Sequence, residues 1–155
     1  MNYNAQVLSN YFRVKDTKLV KRLLGSAGFF TNEDDGAICF YDNEDSAYLC
    51  DMNLIYYNDI PIAVTADYND DDDIYRAIEE YAEVKEDDID DNLITIKDFY
   101  DFLSDQLLEG EAVKVTEVGH EGLRYQSGCG VVVTKKGYQW FDLKQLMDNY
   151  AKENV

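Results

Sequence analysis

The order of apolar and polar positions predicts alternating strands and helices. Val7 to Val14 reads V-L-S-N-Y-F-R-V, a β-prone run that predicts an opening strand. Asp16 and Thr17 then offer helix-capping side chains, and Leu19, Val20, Leu23 and Leu24 recur at helical spacing with Lys18, Lys21 and Arg22 on the other face. Gly25 and Gly28 are suitable stops. Three short strand-like runs follow, Ala37 to Tyr41, Ser46 to Cys50 and Leu54 to Tyr57, with Asx-rich turns between them. Ile60 to Thr65 continues or edges this sheet, and Pro61 favours an edge because it cannot donate to a ladder.

Beyond Asp70-Asp71-Asp72-Asp73, residues Ile74, Ala77, Ile78, Tyr81 and Ala82 predict a second amphipathic helix, with the acids at the positive end of its dipole. After an acidic connection, Thr95 or Asp98 opens a helix carrying Phe99, Phe102, Leu103 and Leu107, closed by Gly110. Four strands are expected next, Ala112 to Val118, Gly122 to Gln126, Gly130 to Thr134 and Tyr138 to Phe141, with Lys135-Lys136-Gly137 as a tight turn. Asp142 caps a last helix with Leu143, Leu146, Met147 and Tyr150 on one face. The expected class is α+β, with short antiparallel sheets packed by three to four helices. The 155 residues suit a single compact domain. The alternatives are two α+β halves, 1–68 and 92–155, joined by an acidic helical segment, 69–91, or one continuous sheet.

Charge changes this picture more than composition does. Residues 32–110 hold 25 acids against Arg76, Lys85 and Lys97, a net charge of −22. The first 31 residues carry +4 and the last 45 sum to zero, which leaves −18 for the chain. Such a charge excludes nucleic acid and anionic membrane as direct partners and favours basic sites on other proteins. Apolar content of 46 %, with thirteen Tyr and seven Phe, argues for a folded chain despite the charge. No apolar run approaches the length of a membrane span, and the N-terminus lacks signal-peptide character. Cys39, Cys50 and Cys129 are odd in number and widely spaced, which fits buried or semi-buried thiols in a reducing cytosol.

No motif assembles catalytic or metal chemistry. An EF-hand loop begun at Asp67 puts Asp72 where Gly belongs and Ile78 where a bidentate Glu belongs; one begun at Asp88 puts Leu93 and Phe99 there. Gly25-Ser26-Ala27-Gly28 is too short for a phosphate loop. His120, with Glu117, Glu121 and Ser127 nearby, reads as an exposed turn residue rather than a catalytic base, and Cys129 has no cation beside it except Arg124. No catalytic residue, metal ligand or cofactor is expected.

Two segments resemble a family. Asn10-Tyr11-Phe12-Arg13-Val14-Lys15-Asp16 is followed by an amphipathic helix; Leu123-Arg124-Tyr125 is followed by Gly128-Cys129-Gly130-Val131-Val132-Val133 and the Asp142-Leu143 helix start. Together these ends, about a third of the chain, resemble small acidic proteins of phages, plasmids and bacterial genomes. The resemblance implies a mobile-element setting and an α+β fold, and assigns no site.

The acidic centre is therefore the candidate for function. Its carboxylates come in small clusters interspersed with Tyr41, Tyr48, Tyr56, Tyr57, Tyr68, Tyr75, Tyr81 and Tyr100, which offer low-entropy contact area. A folded scaffold holding carboxylates at fixed separations can imitate the field of a nucleic-acid backbone. The expected contact residues are Asp70, Asp71, Asp72, Asp73, Glu79, Glu80, Glu83, Asp87 and Asp88. The expectation is a non-enzymatic inhibitor in the host cytosol. Its partner would be a basic nucleic-acid-binding protein: a CRISPR effector, a restriction enzyme or RNA polymerase. Lys15, Lys18, Lys21 and Arg22 would pair with the acids within one chain or across a homodimer. The alternative is a non-catalytic accessory or metal-responsive structural protein whose acidic face only solubilises it.

Overall fold

A computed structural model describes residues 4–42, 49–65, 71–121 and 125–154. The elements run β1 (Asn4–Ser9), α1 (Thr17–Ser26), β2 (Phe30–Asp34), β3 (Ala37–Asp42), a 3-10 turn (Leu49–Asp51), β4 (Met52–Tyr57), β5 (Ile60–Thr65) and α2 (Asp71–Ala82). Two further 3-10 turns (Glu86–Asp88 and Asp91–Leu93) lead to β6 (Ile94–Asp98), α3 (Phe99–Gln106), β7 (Val113–Glu121), β8 (Tyr125–Thr134), β9 (Gly137–Asp142) and α4 (Leu143–Asn154). The fold is α+β, with two antiparallel sheets and four α-helices among the described residues.

The six-stranded sheet has the order β2-β3-β1-β7-β8-β9, and the three-stranded sheet has the order β5-β4-β6. Strands from both ends of the chain share the first sheet, and β6 joins β4 and β5 in the second, so boundaries at 68 and 92 do not separate the sheets.

Local chemistry places several elements. Asp16 accepts the Leu19 N–H (3.1 Å) and starts α1; Asp98 accepts from Tyr100 (2.8 Å) and starts α3; Asp142 accepts from Gln145 (2.9 Å) and starts α4. Asp35 and Gly36 both take positive φ, 50° and 77°, as the tight β2–β3 turn requires. Asn58 and Asp59 do the same between β4 and β5, at 47° and 69°.

Several expectations need correction. The opening strand ends at Ser9, after which Phe12 bridges to Ile38 of β3 and Val14 bridges to Leu107. Phe30–Asp34, not anticipated, is an edge strand of mostly exposed residues. Thr95 lies in β6 rather than at a helix start, because Ile94 to Asp98 pair with β4. Leu49 and Cys50 form a 3-10 turn, while 46–48 lie outside the described residues. The two expected strands in 122–134 are one long strand over its described part, Tyr125–Thr134.

Strand periodicity sorts the core into layers. Val7, Val113, Val115, Val131 and Val133 face inward from the six-stranded sheet and pack with Phe12, Leu23, Phe40 and Leu103. Leu54 and Ala63, directly opposite each other on β4 and β5, join this cluster. Ile55 and Ile62, the next pair along, point the other way and pack with Ile74, Ala77 and Ile78 of α2. Both faces of the three-stranded sheet are thus covered, one by the main core and one by α2. Helices α1 and α3 each touch both sheets. Ser26 ties α1 to the β5 edge, accepting the Ala63 N–H (3.1 Å) and donating to its carbonyl (2.7 Å). α4 lies on the remaining face of the six-stranded sheet, against β8 and β9.

Candidate partner-binding surface

The acidic surface is built on α2 and the connection to β6. Ile74, Ala77 and Ile78 anchor the helix beneath the sheet, which turns Glu79 and Glu80 to solvent. Glu83 leaves the helix with φ 58° and is exposed. Glu86, Asp87 and Asp88 form an exposed 3-10 turn between the half-buried anchors Val84 and Ile89. Hydrogen bonds hold this connection in place. The Asp90 N–H donates to the Tyr57 hydroxyl (3.2 Å), the Tyr75 hydroxyl donates to Asp91 Oδ1 (2.6 Å), and the Asn58 N–H donates to the Leu93 carbonyl (3.1 Å).

The expected contact residues divide accordingly. Glu79, Glu80, Glu83, Asp87 and Asp88 share this surface, are exposed, and make no ion pair among the described residues. Asp73 lies in the first turn of α2 and meets Arg76 at 3.8 Å. Asp71 and Asp72 belong to that turn by backbone, and Asp70 lies outside the described residues. Asp90 and Asp91 were not among the expected contacts, and their carboxylates serve the loop itself, Asp90 by accepting the Asn92 N–H (3.0 Å). A second acidic groove of about 320 Å³ has Asp98, Asp101 and Asp105 beside Lys97, whose ammonium sits 5.2 Å from the Tyr56 ring centroid. The i, i+4 spacing of Asp101 and Asp105 in α3 was the available signal.

The tyrosines are less uniform than their spacing implies. Tyr57 and Tyr100 are buried and serve the core. Tyr100 donates to the Leu49 carbonyl, and burial raises its hydroxyl pKa strongly. Tyr138 donates to Asp98, and that hydrogen bond, with a smaller part from burial, pushes its hydroxyl up to about 12. Tyr81 remains exposed beside Glu80, raised first by partial desolvation and then by that carboxylate. Tyr48 and Tyr68 lie outside the described residues.

The basic face of α1 meets the acidic stretch at one point. Lys21 reaches Glu33 of β2 at 3.1 Å, while Arg22 donates to the Pro61 carbonyl at 3.4 Å. Between β1 and α1, Arg13 is 3.9 Å from Asp35.

The residues drawn around a catalytic base lie along β7 and β8. His120 is a β7 strand position opposite Gln126, not a turn residue. Glu117 is buried and accepts the Leu49 N–H at 3.0 Å. Cys129 stands opposite Glu117 on one side and Asp142 on the other. Burial, followed by Glu117, Cys50 and Asp142, pushes its thiol up to about 11. A thiol so placed stays protonated at neutral pH, the reverse of what a cysteine nucleophile needs. Cys50 is exposed, against the expectation of three buried or half-buried thiols. Among the described residues no group of three His, Cys, Asp or Glu side chains is placed to hold a metal ion, and no helix is long and apolar enough to cross a membrane. Comparison with protein-family models, curated proteins and solved structures returns no match to this chain.

Proposed function

We propose that this protein is a non-enzymatic inhibitor encoded by a phage or other mobile element. Its acidic surface imitates a nucleic-acid backbone and occupies the basic cleft of a nucleic-acid-binding defence protein in the host cytosol. A CRISPR effector or a restriction enzyme fits best, with RNA polymerase next. One observation carries the reading: the unpaired carboxylates of α2 and its following turn stand on a packed support. Residues 71–91 hold eleven acids against Arg76 and Lys85, a net charge of −9. The twelve residues of α2 span about 18 Å and hold five acids against Arg76, a net charge of −4, where duplex DNA of that length carries about ten charges. The turn after the helix adds six acids against Lys85, so the two elements together carry the local field. Anchoring by Ile74, Ala77, Ile78, Val84 and Ile89 keeps the array from relaxing apart, so little order is lost on binding. The resemblance of the chain's two ends to mobile-element proteins supports the setting.

The test is cleavage inhibition. Purified protein is titrated against a panel of CRISPR effectors and restriction nucleases at low salt, with and without competing DNA. Inhibition should appear near stoichiometry and be relieved by excess DNA. No inhibition of any nuclease at large excess, or inhibition indifferent to competing DNA, overturns the reading.

A further inference from the structure

The outer face of the six-stranded sheet is covered at one end by α4, against β8 and β9, and carries a row of mostly apolar positions beside it. Antiparallel partners share a face, so the register defines one row across all six strands: Phe30, Tyr41, Leu8, Thr116, Gly130 and Phe141. Phe30 and Tyr41 stack at one end, with ring centroids 5.7 Å apart. At the other end α4 follows β9 directly, and Leu143 rests on bare backbone: a Cβ added to Gly128 would lie 2.9 Å from its side chain. Beyond this contact α4 stands off the sheet and leaves a groove of about 260 Å³ between Val118, Gly130, Phe141 and Leu146. Lys114 is the only charged side chain lining it among the described residues.

Helix α4 buries none of its residues. Leu143, Leu146, Met147 and Tyr150 are 48, 51, 63 and 70 % exposed; Val118 in the groove lining is 55 % exposed, and Leu8, one strand beyond the lining Thr116, is 60 % exposed. With large side chains offering about 200 Å² each, these six with Phe30 and Phe141 present on the order of 800 Å². That exceeds the largest patch of a typical monomer, about 300–600 Å², and matches the roughly 800 Å² that each partner gives to a stable complex.

We propose that this face, with the groove beside α4, docks a second copy of the same chain in a two-fold symmetric dimer. Charge selects the occupant. The patch comes mostly from residues 1–31 and 111–155, whose net charges are +4 and zero, whereas 25 of the 32 acids lie in 32–110. A basic partner is drawn to the acidic side, and two copies meeting there would repel. α2 lies beyond the inner core and the three-stranded sheet, at least about 20 Å below the outer face from layer spacings of about 10 Å. That is about two Debye lengths at 0.1 M salt, so two copies can join here with their acidic flanks screened from each other. A two-fold contact would bring Met147 and Tyr150 of each copy, exposed beside the groove, against the same face of the other.

Sedimentation of the full chain tests this. From about 1 to 100 µM, a dissociation constant in the micromolar range gives a shift from 17.9 kDa to twice that mass. Raising salt from about 0.1 to 0.5 M should leave the dimer intact, because the contact is apolar and the acidic flanks are already screened from each other. A chain that stays monomeric at the highest concentration, or a dimer that salt dissociates, overturns the proposal. Leu146→Gln with Met147→Gln should weaken association at least about tenfold with unchanged circular dichroism, and Leu8→Gln on the exposed sheet face should do the same. Either variant suffices if the other folds poorly; unaltered dimerisation in a folded variant places the contact elsewhere and overturns the proposal.

Discussion

Helices α2 and α4 are each twelve residues long and each carry one apolar stripe. In α2 the stripe of Ile74, Ala77 and Ile78 is buried against the three-stranded sheet. In α4 the stripe of Leu143, Leu146, Met147 and Tyr150 stays about half to two-thirds exposed. Helical periodicity therefore specifies an apolar face without specifying a cover within the same chain. The difference divides the molecule. The α2 side presents unpaired carboxylates on a buried support, and the α4 side presents unpartnered apolar side chains on a neutral one. One face acts through long-range charge, the other through contact.

The largest expected effect tests the covered side of the six-stranded sheet. Phe40 is fully buried and packs edge-on against Phe12 and Phe29, with centroids 6.2 and 5.1 Å away. Phe40→Ala should cost about 3–5 kcal/mol in urea unfolding. Leu8→Gln, on the uncovered side of the same sheet, should cost under about 0.5 kcal/mol measured well below the dimer concentration range. Equal costs would mean that the outer face is covered within the monomer.

Neutralising Glu79, Glu80 and Glu83 together to Gln should reduce nuclease inhibition by about a hundredfold, or about 2.7 kcal/mol, at low salt. Folding should persist or gain slightly as self-repulsion is relieved. A solubilising face predicts intact inhibition with lower solubility, so circular dichroism and inhibition on one preparation separate the two. Salt sharpens the contrast further: inhibition should weaken between about 0.05 and 0.5 M while dimerisation persists, and parallel losses would erase the division.

A smaller effect reads the polar edge of the inner face. The Cys129 thiol titrates near 9 when unperturbed and at about 11 when folded. Between these values the unfolded chain has lost the proton that the folded chain keeps, so stability present below about pH 9 falls as pH rises towards 11. In Cys129→Ala the alkaline fall, measured by urea midpoints at pH 7, 9 and 10.5, should be shallower. An identical fall would assign the loss to other groups.

The smallest effect concerns a helix start. Asp16→Ala removes the bond to the Leu19 N–H and should cost about 1 kcal/mol. A similar substitution at Asp142, before the loosely held α4, should cost less global stability, because α4 can fray without opening the core. A larger loss at Asp142 would mean that α4 is integral to the core after all.

The sequence determined what depends on neighbours along the chain. Aspartates 16, 98 and 142 capped helices where anticipated, paired positive-φ residues closed hairpins, and Glu79, Glu80, Glu83 and Glu86 to Asp88 remained at the surface. Five expected contact residues, Glu79, Glu80, Glu83, Asp87 and Asp88, are exposed because the apolar positions beside them, Ile78, Val84 and Ile89, take the packed side. Tertiary structure alone decided the strand partners. Phe30–Asp34 has little apolar content and becomes a strand only because β3 offers it an edge, and Thr95 extends rather than coils because β4 pairs with it. It also decided which tyrosines were core and that the outer face would remain bare. Sheet pairing and burial join residues up to about a hundred positions apart, such as Leu8 and Thr116, and no local pattern carries that information.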